Sequence, residues 1–322
     1  MGQAYGELMK DEILALHDQA FDFIYAQITE HISSLPPMWQ KLIAEEGVHL
    51  ALNLTYDFTK EFIPQHYFDM AKGKDEMRIR MANSTGLSWY SIMSLSLFPE
   101  LIKASCSMIG AWGPATAGTD SGLVQLRALD WTTDGPFQQF PVVVVYHPST
   151  QGHTFSTLSW AGLLGSITGY SAANIGVSEK VWLHYDGPYS PAGIPFHFLL
   201  QDILQFDMDI DAALSRIASA NRTCSIFIGL GDYYNNRFVA VEYSHTTVNV
   251  YNDRNFPAYP PYHDLYKGVV FVDKHTQPSH NDCLNSLIST YYGKLDAVTM
   301  LRYITPVLQT GNNHIAIYGE WP

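Results

Sequence analysis

Apolar positions recur three and four apart through residues 7–28 (ELMKDEILALHDQAFDFIYAQI), which predicts one long amphipathic helix. The prolines at 36 and 37 break that pattern, and MWQKLI at 38–43 restarts it as a second helix. YDFTKEFI at 56–63 carries a third apolar-periodic stretch, so the first hundred residues read as mostly helical. Past Cys106 the texture changes. Glycine and β-branched residues rise, and short runs at 140–146, 225–229, 238–243, 247–251, 268–273 and 313–318 read as strands bounded by turn formers. Helical periodicity returns at 194–205, at 209–217 with Asp209 or Asp211 as the cap, and at 283–292 and 295–304. Helices first, then strands with helices set among them, predict one layered α+β domain.

The switch in texture coincides with a candidate for chemistry. Two apolar runs, 107–112 and 123–131, flank a loop from Pro114 to Gly122 rich in turn formers, which predicts a hairpin. A hairpin sets Arg127 and Asp130 near the strand that begins at Cys106. A cation beside a cysteine favours the thiolate, the form that attacks acyl carbon. Asp130 is then placed to orient an amine or a guanidinium. The base is open at this point. Thirteen histidines offer a Cys–His pair, as in a papain-like protease, whereas cleavage of the Ser105–Cys106 bond would free an α-amine next to the thiol. A packing role for Cys106, as a small hydrophobe at a strand start, is the simpler alternative.

Composition narrows the field. Hydrophobic residues make up 47% of the 322 residues and charged ones 15%, enough apolar material for a sizeable core. A formal net charge of -13, with no basic cluster, argues against nucleic acid as a partner. No apolar run reaches the length of a membrane span, and the opening MGQAYGELMK lacks the form of a signal peptide. NLT at 53, NST at 83 and NRT at 221 fit the N-glycosylation acceptor pattern. Three cysteines form no CxxC; a Cys224–Cys283 disulfide leaving Cys106 free stands against separate buried thiols.

Four motifs in order resemble the N-terminal-nucleophile hydrolases, the group that holds acid ceramidase, N-acylethanolamine acid amidase, bile salt hydrolase, the penicillin acyltransferases and the phospholipase B-like proteins. They are GQAYGEL at 2–8, CSMIG at 106–110, LRALDW at 126–131 and GYSAANIGVS at 169–178; TGNNHIAIY at 310–318 extends the likeness to nearly the whole chain. The resemblance implies a four-layer αββα sandwich and autocleavage between Ser105 and Cys106. It makes residues 1–105 a helical leader and 106–322 the catalytic part of one integrated domain, the two pieces staying associated. Cys106 becomes the nucleophile and its freed amine the base, with Arg127 and Asp130 in support. The activity implied is attack on an acyl C–N bond through a thioester, with no metal or organic cofactor. An acyl ester or an acyl acceptor other than water is the variant within the same fold, and a lysosomal or secreted location goes with the group.

Two positions depart from the group. Where it carries an oxyanion-donor asparagine at a strand end, this chain reads VDKHTQP at 272–278, which brings forward His275, with Asn174 as a second donor candidate. A later arginine has no counterpart between Arg254 and Arg302, leaving Lys274 or Asn281 to stand in. Asn281 and Asp282 also read as the cap of the helix near Cys283. His153 and His184 carry no pattern and are read as structural. Trp112, Trp131, Trp160 and Trp182 lie in apolar stretches that suit an acyl chain and become candidate lining. These features point to a lipid-like acyl amide as substrate, with contact to a membrane surface or lipid aggregate. A secreted lipid-binding module without the chemistry is the reading from another class.

Overall fold

The computed structural model describes residues 2–30, 40, 43, 47–71, 81–101, 104–149 and 151–319. Among the described residues the helices before the first strand include α1 (Gly2–Leu8), α2 (Lys10–Glu30), α3 (Val48–Thr59), α4 (Gln65–Ala71), α5 (Met81–Thr85) and α6 (Trp89–Ser96). The single helix expected over 7–28 is therefore two, interrupted at Met9. The helix expected at 38–43 lies, except for positions 40 and 43, outside the described residues. The stretch at 56–63 is the end of α3 and the turn beyond it.

Eleven strands form two sheets among the described residues. β1 (Ser105–Ala111), β2 (Val124–Asp130), β10 (Val269–Val272) and β11 (His314–Gly319) make an antiparallel sheet in the order β10-β1-β2-β11. The other sheet is a seven-stranded meander. It runs in chain order through β3 (Pro141–Tyr146), β4 (Phe155–Trp160), β5 (Thr168–Ser171), β6 (Ile175–Val181), β7 (Ile226–Asp232), β8 (Arg237–Tyr243) and β9 (Val248–Tyr251). The predicted hairpin is β1–β2, with Cys106 opposite Leu129 and Ser105 opposite Asp130.

The sheets lie face to face, and side-chain alternation sorts their cores. Met108, Phe238, Val270 and Val272 fill the space between them. Gly110 lets them approach, because a Cβ there would fall 2.1 Å from the Phe238 ring. Ile109, Ala111, Leu126 and Ala128 point the other way, onto α9 (Asp282–Thr290) and the segment of α10 (Ala297–Thr299), a π turn (Met300–Ile304) and α11 (Thr305–Leu308). The outer face of the large sheet is covered by α7 (Phe196–Phe206) and α8 (Ile210–Ser219), which pack with Ile175, Val177, Ile228 and Leu230. Helix, sheet, sheet, helix: this is the four-layer αββα sandwich that the resemblance implies.

The early helices are not a separate lobe. Their Leu16, Ala20, Ile24, Leu95 and Phe98 share a core with Cys106, Leu129 and Trp160. Two caps expected from sequence form: Asp209 accepts from the Ala212 N–H at 2.7 Å and Asn281 from the Leu284 N–H at 3.0 Å. The Cys224–Cys283 disulfide does not form. All three cysteines are free thiols, with Cys224 buried and Cys283 exposed, so the pair sits in different environments.

Candidate active site

Cys106 is the second residue of β1, its side chain fully buried. Arg127 is its diagonal neighbour on β2, two positions from the residue directly opposite, a separation that a long side chain spans. The Nη2 N–H donates to the Cys106 sulfur at 3.3 Å and to the Glu179 Oε1 at 3.2 Å. The thiol in turn has Glu179 Oε1 at 3.5 Å and the Ala104 carbonyl at 3.9 Å as acceptors. Glu179 lies on β6 one residue past its pairing with β5, which begins at Thr168 opposite Ser178. The other arm of the guanidinium, Nη1, donates to His314 Nε2 at 3.0 Å, and the Thr168 hydroxyl meets the same nitrogen at 3.0 Å. That nitrogen accepts, so His314 carries its proton on Nδ1. Arg127 Nε is buried without a partner.

Burial dominates the electrostatics. It pushes the Cys106 thiol far up, against the lowering pull of Arg127. It raises the Glu179 carboxyl as well, again partly offset by Arg127. His314 is driven well below the usual imidazole range by burial and by the adjacent guanidinium, and stays neutral. In the uncleaved chain, then, the sulfur is a protonated thiol held within reach of both a cation and a carboxylate.

Two cavities have lining residues from this part of the fold. One, of about 340 Å³, is mainly apolar, walled by Phe98, Leu101, Leu129, Trp131, Trp160, Leu163, Ile167, Val181, Phe196 and Ile226, with Glu179 on its wall. Its other ionisable lining groups are Glu100, His197, Asp186, the Cys224 thiol and the Tyr185 and Tyr189 phenols. Burial lifts the Glu100 carboxyl to about 7, although the Phe196 N–H at 2.8 Å favours its charged form. Burial also lowers His197 to about 3. The second cavity, of about 680 Å³, is lined mostly by polar residues, Ser105, Asp130, His184, Lys274, His275, Thr276 and His280, with Leu183 and Pro278 among them. Ser105 thus lines the vestibule and its neighbour Ala104 the chamber, while the buried Cys106 lines neither.

The structure gathers some of the sequence candidates and disperses others. Cys106 and Arg127 come together; Ser105 and Asp130 are register partners on the vestibule side. Asp130 does not touch Arg127. It accepts the Asn312 N–H at 3.3 Å instead. His275 lines the vestibule, half exposed, with Nδ1 2.9 Å from Asp273 Oδ2. Burial alone would raise Asp273, but hydrogen bonds from His275, Asn281 and Gln277 hold it below its ordinary value. Asn174 is a correction. It sits in the β5–β6 turn with φ 62°, accepting from the Tyr170 hydroxyl, five residues or roughly 17 Å along β6 from Glu179. It cannot serve as a donor at Cys106.

Of the tryptophans, Trp131 and Trp160 line the apolar chamber, whereas Trp112 follows the far end of β1 and Trp182, which does not line it, makes tilted ring contacts with Tyr185 and Phe227. Lys274 lines the vestibule, but Asn281 is spent on Asp273 and the α9 cap. His184, read as structural from sequence, also lines the vestibule. Glu179 and His314 were not singled out by sequence reasoning. The available signal was a Glu–Lys pair inside IGVSEKV, a run buried at every position, since such charges are rarely buried without a partner. Among the described residues no group of three or more His, Cys, Asp or Glu side chains could hold a metal ion, and no helix is long and apolar enough to cross a membrane.

No protein-family model matches the chain. It is 44% identical over 333 residues to protein dcd1A of Dictyostelium discoideum, covering 98% of this chain and 73% of that protein. It is 38% identical over 328 residues to protein dcd1B of the same organism, covering 99% of this chain and 63% of that one. Among solved structures, a Caenorhabditis elegans N-acylethanolamine-hydrolyzing acid amidase ortholog aligns with a TM-score of 0.46 at 17% identity, over 64% of this chain and 86% of that one.

Proposed function

We propose that this chain, which belongs to the family of Dictyostelium discoideum protein dcd1A, is a self-processing thiol hydrolase of lipid-like acyl amides. The observation that carries the proposal is the Cys106 sulfur, 3.3 Å from Arg127 and 3.5 Å from Glu179, a carboxyl on the wall of the apolar chamber, with Ser105 on the wall of the vestibule.

The uncleaved thiol is a poor nucleophile, and chain cleavage supplies what it lacks. Attack of the sulfur on the Ser105 carbonyl carbon, with loss of the Cys106 nitrogen, gives a thioester that water resolves to a Ser105 carboxylate and a free Cys106 amine. An α-amine titrates near neutrality, at about 7.7–8.0, and is placed to take the thiol proton. Asp130, opposite Ser105, lies where it can hold that amine. In turnover the acyl chain occupies the chamber and the leaving amine the vestibule. The sulfur attacks the acyl carbon, the amine departs with the proton, and water releases the acid. Arg127 stabilises the sulfur's charge. His275 and Lys274, on the vestibule wall, are donor candidates for the developing oxyanion. Exposed Asn83 and Asn221 in their acceptor triplets suit passage through the secretory route to a lysosome or the exterior.

The fully buried, protonated thiol also favours a second reading, a lipid-binding module that never activates Cys106. Incubation with an N-acylethanolamine, quenching in acid and peptide mass spectrometry separates the two. The hydrolase carries the acyl group on Cys106; a binding module carries none on any cysteine and releases no acid.

A further inference from the structure

Lys180 has no part in the chemistry above, yet it is buried completely. Its Nζ donates to the Val181 carbonyl at 2.9 Å and lies 5.6 Å from the centre of the Phe227 ring. Among the described residues no carboxylate stands within ion-pair distance of it. A buried ammonium without a carboxylate is costly, and a lysine with no need of its charge would be replaced cheaply by a hydrophobe.

Its place in the fold explains the charge. Ser178, two residues earlier on β6, has its hydroxyl 3.5 Å from the Met108 sulfur between the sheets. Alternation puts Lys180 on that same face, and two residues back from Met108 on β1 is Cys106. Phe227, the register partner of Lys180, packs in the same inter-sheet cluster as Met108. The charged groups that face the ammonium are Cys106 from β1, Glu179 from its own strand and Asp273 beyond β10, with Arg127 on β2 across the sulfur. Asp273 is already engaged by His275, Gln277 and Asn281. Ionisation of Cys106 thus supplies the negative charge that the Arg127–Glu179–Lys180 set lacks.

We propose that Lys180 is a positioning residue for Cys106, a second buried cation that, with Arg127, holds the sulfur as a thiolate. The proposal rests on Cys106 being the nucleophile. Desolvation brings the lysine down to about 8, against the upward pull of Cys106, Asp273 and Glu179.

The test is the pH dependence of iodoacetamide alkylation at Cys106, read by peptide mass spectrometry in the purified protein and in Lys180→Gln, Lys180→Met and Lys180→Arg. Lys180→Gln keeps a donor for the Val181 carbonyl while removing the charge. Expected for Gln and Met is a midpoint higher by about one unit and roughly tenfold slower labelling at neutral pH, with Arg restoring the original profile. Gln or Met variants that titrate like the parent, or an Arg variant that shifts as far as Gln, overturn the proposal. A Cys106 inert in the parent at every pH overturns both this and the proposed function. Linkage gives a reciprocal measurement that leaves Lys180 in place. In Cys106→Ala the Lys180 Nζ titration, followed by NMR, moves to lower pH; an unchanged titration contradicts the proposal even where the lysine variants do not fold.

Discussion

Arg127 and Cys106 are diagonal partners on a hairpin, with Nη2 3.3 Å from Sγ, and the same nitrogen reaches Glu179 at 3.2 Å. One guanidinium thus ties the Cys106 sulfur on the small sheet to a carboxyl on the large one. Because both partners are buried, removing the cation alone leaves an uncompensated carboxyl. Arg127→Met should cost about 3–5 kcal/mol in urea unfolding, and adding Glu179→Met should recover most of that loss. Equal stability of the single and double variants would mean that the pair does not hold the sheets together.

How much of this was legible follows from where each contact originates. The hairpin was readable because turn formers at 114–122 separate two apolar runs, and its register alone brings Arg127 to Cys106. Asp209 and Asn281 were readable as caps because a cap is a local hydrogen bond. Glu179 and His314 reach the site from the large sheet and from the last strand, 73 positions from Cys106 and 187 from Arg127 respectively, and periodicity carries no information about such packing. Asn174 misled for the same reason: it is near Glu179 in sequence but at the opposite end of β6. The expected long first helix split at Met9, where two short apolar periods had read as one.

Glu100 makes stability depend on pH with a definite sign. Its carboxyl is raised in the folded chain from 4.5 to about 7, so the protonated form is favoured by folding. The stabilisation is fully present below the unfolded value and disappears as pH rises through about 7, a change of up to about 3 kcal/mol. His197, lowered to about 3, acts in the opposite sense, losing stability as pH falls below its unfolded value. Comparing Glu100→Gln with the parent isolates the first effect. The difference in denaturation midpoint should favour the variant increasingly from pH 5 to 8; a difference independent of pH would rule out this coupling.

Gly110 sets the distance between the sheets. Gly110→Ala places a methyl group on the Phe238 ring, and a destabilisation of about 1–3 kcal/mol is expected. Adding Phe238→Leu should relieve part of it. Chemical denaturation of the three variants measures this, and a neutral Gly110→Ala would show that the sheets have room to part.

The apolar chamber should govern acyl binding separately from sulfur chemistry. Ile226→Trp fills it from the β7 side. Hydrolysis of long-chain amides should then fall at least about tenfold, mainly through KM, while alkylation of Cys106 by a small reagent stays at the parental rate. Loss of both together would place the acyl chain elsewhere.

The account depends most on a break in the backbone before residue 106. Intact mass and N-terminal sequencing of the purified protein, before and after incubation at acid and neutral pH, examine that directly. Two associated polypeptides, the second beginning Cys-Ser-Met-Ile-Gly, are the predicted result, with Cys106→Ala remaining a single chain. A parent protein that hydrolyses acyl amides while still one uncut chain would contradict it.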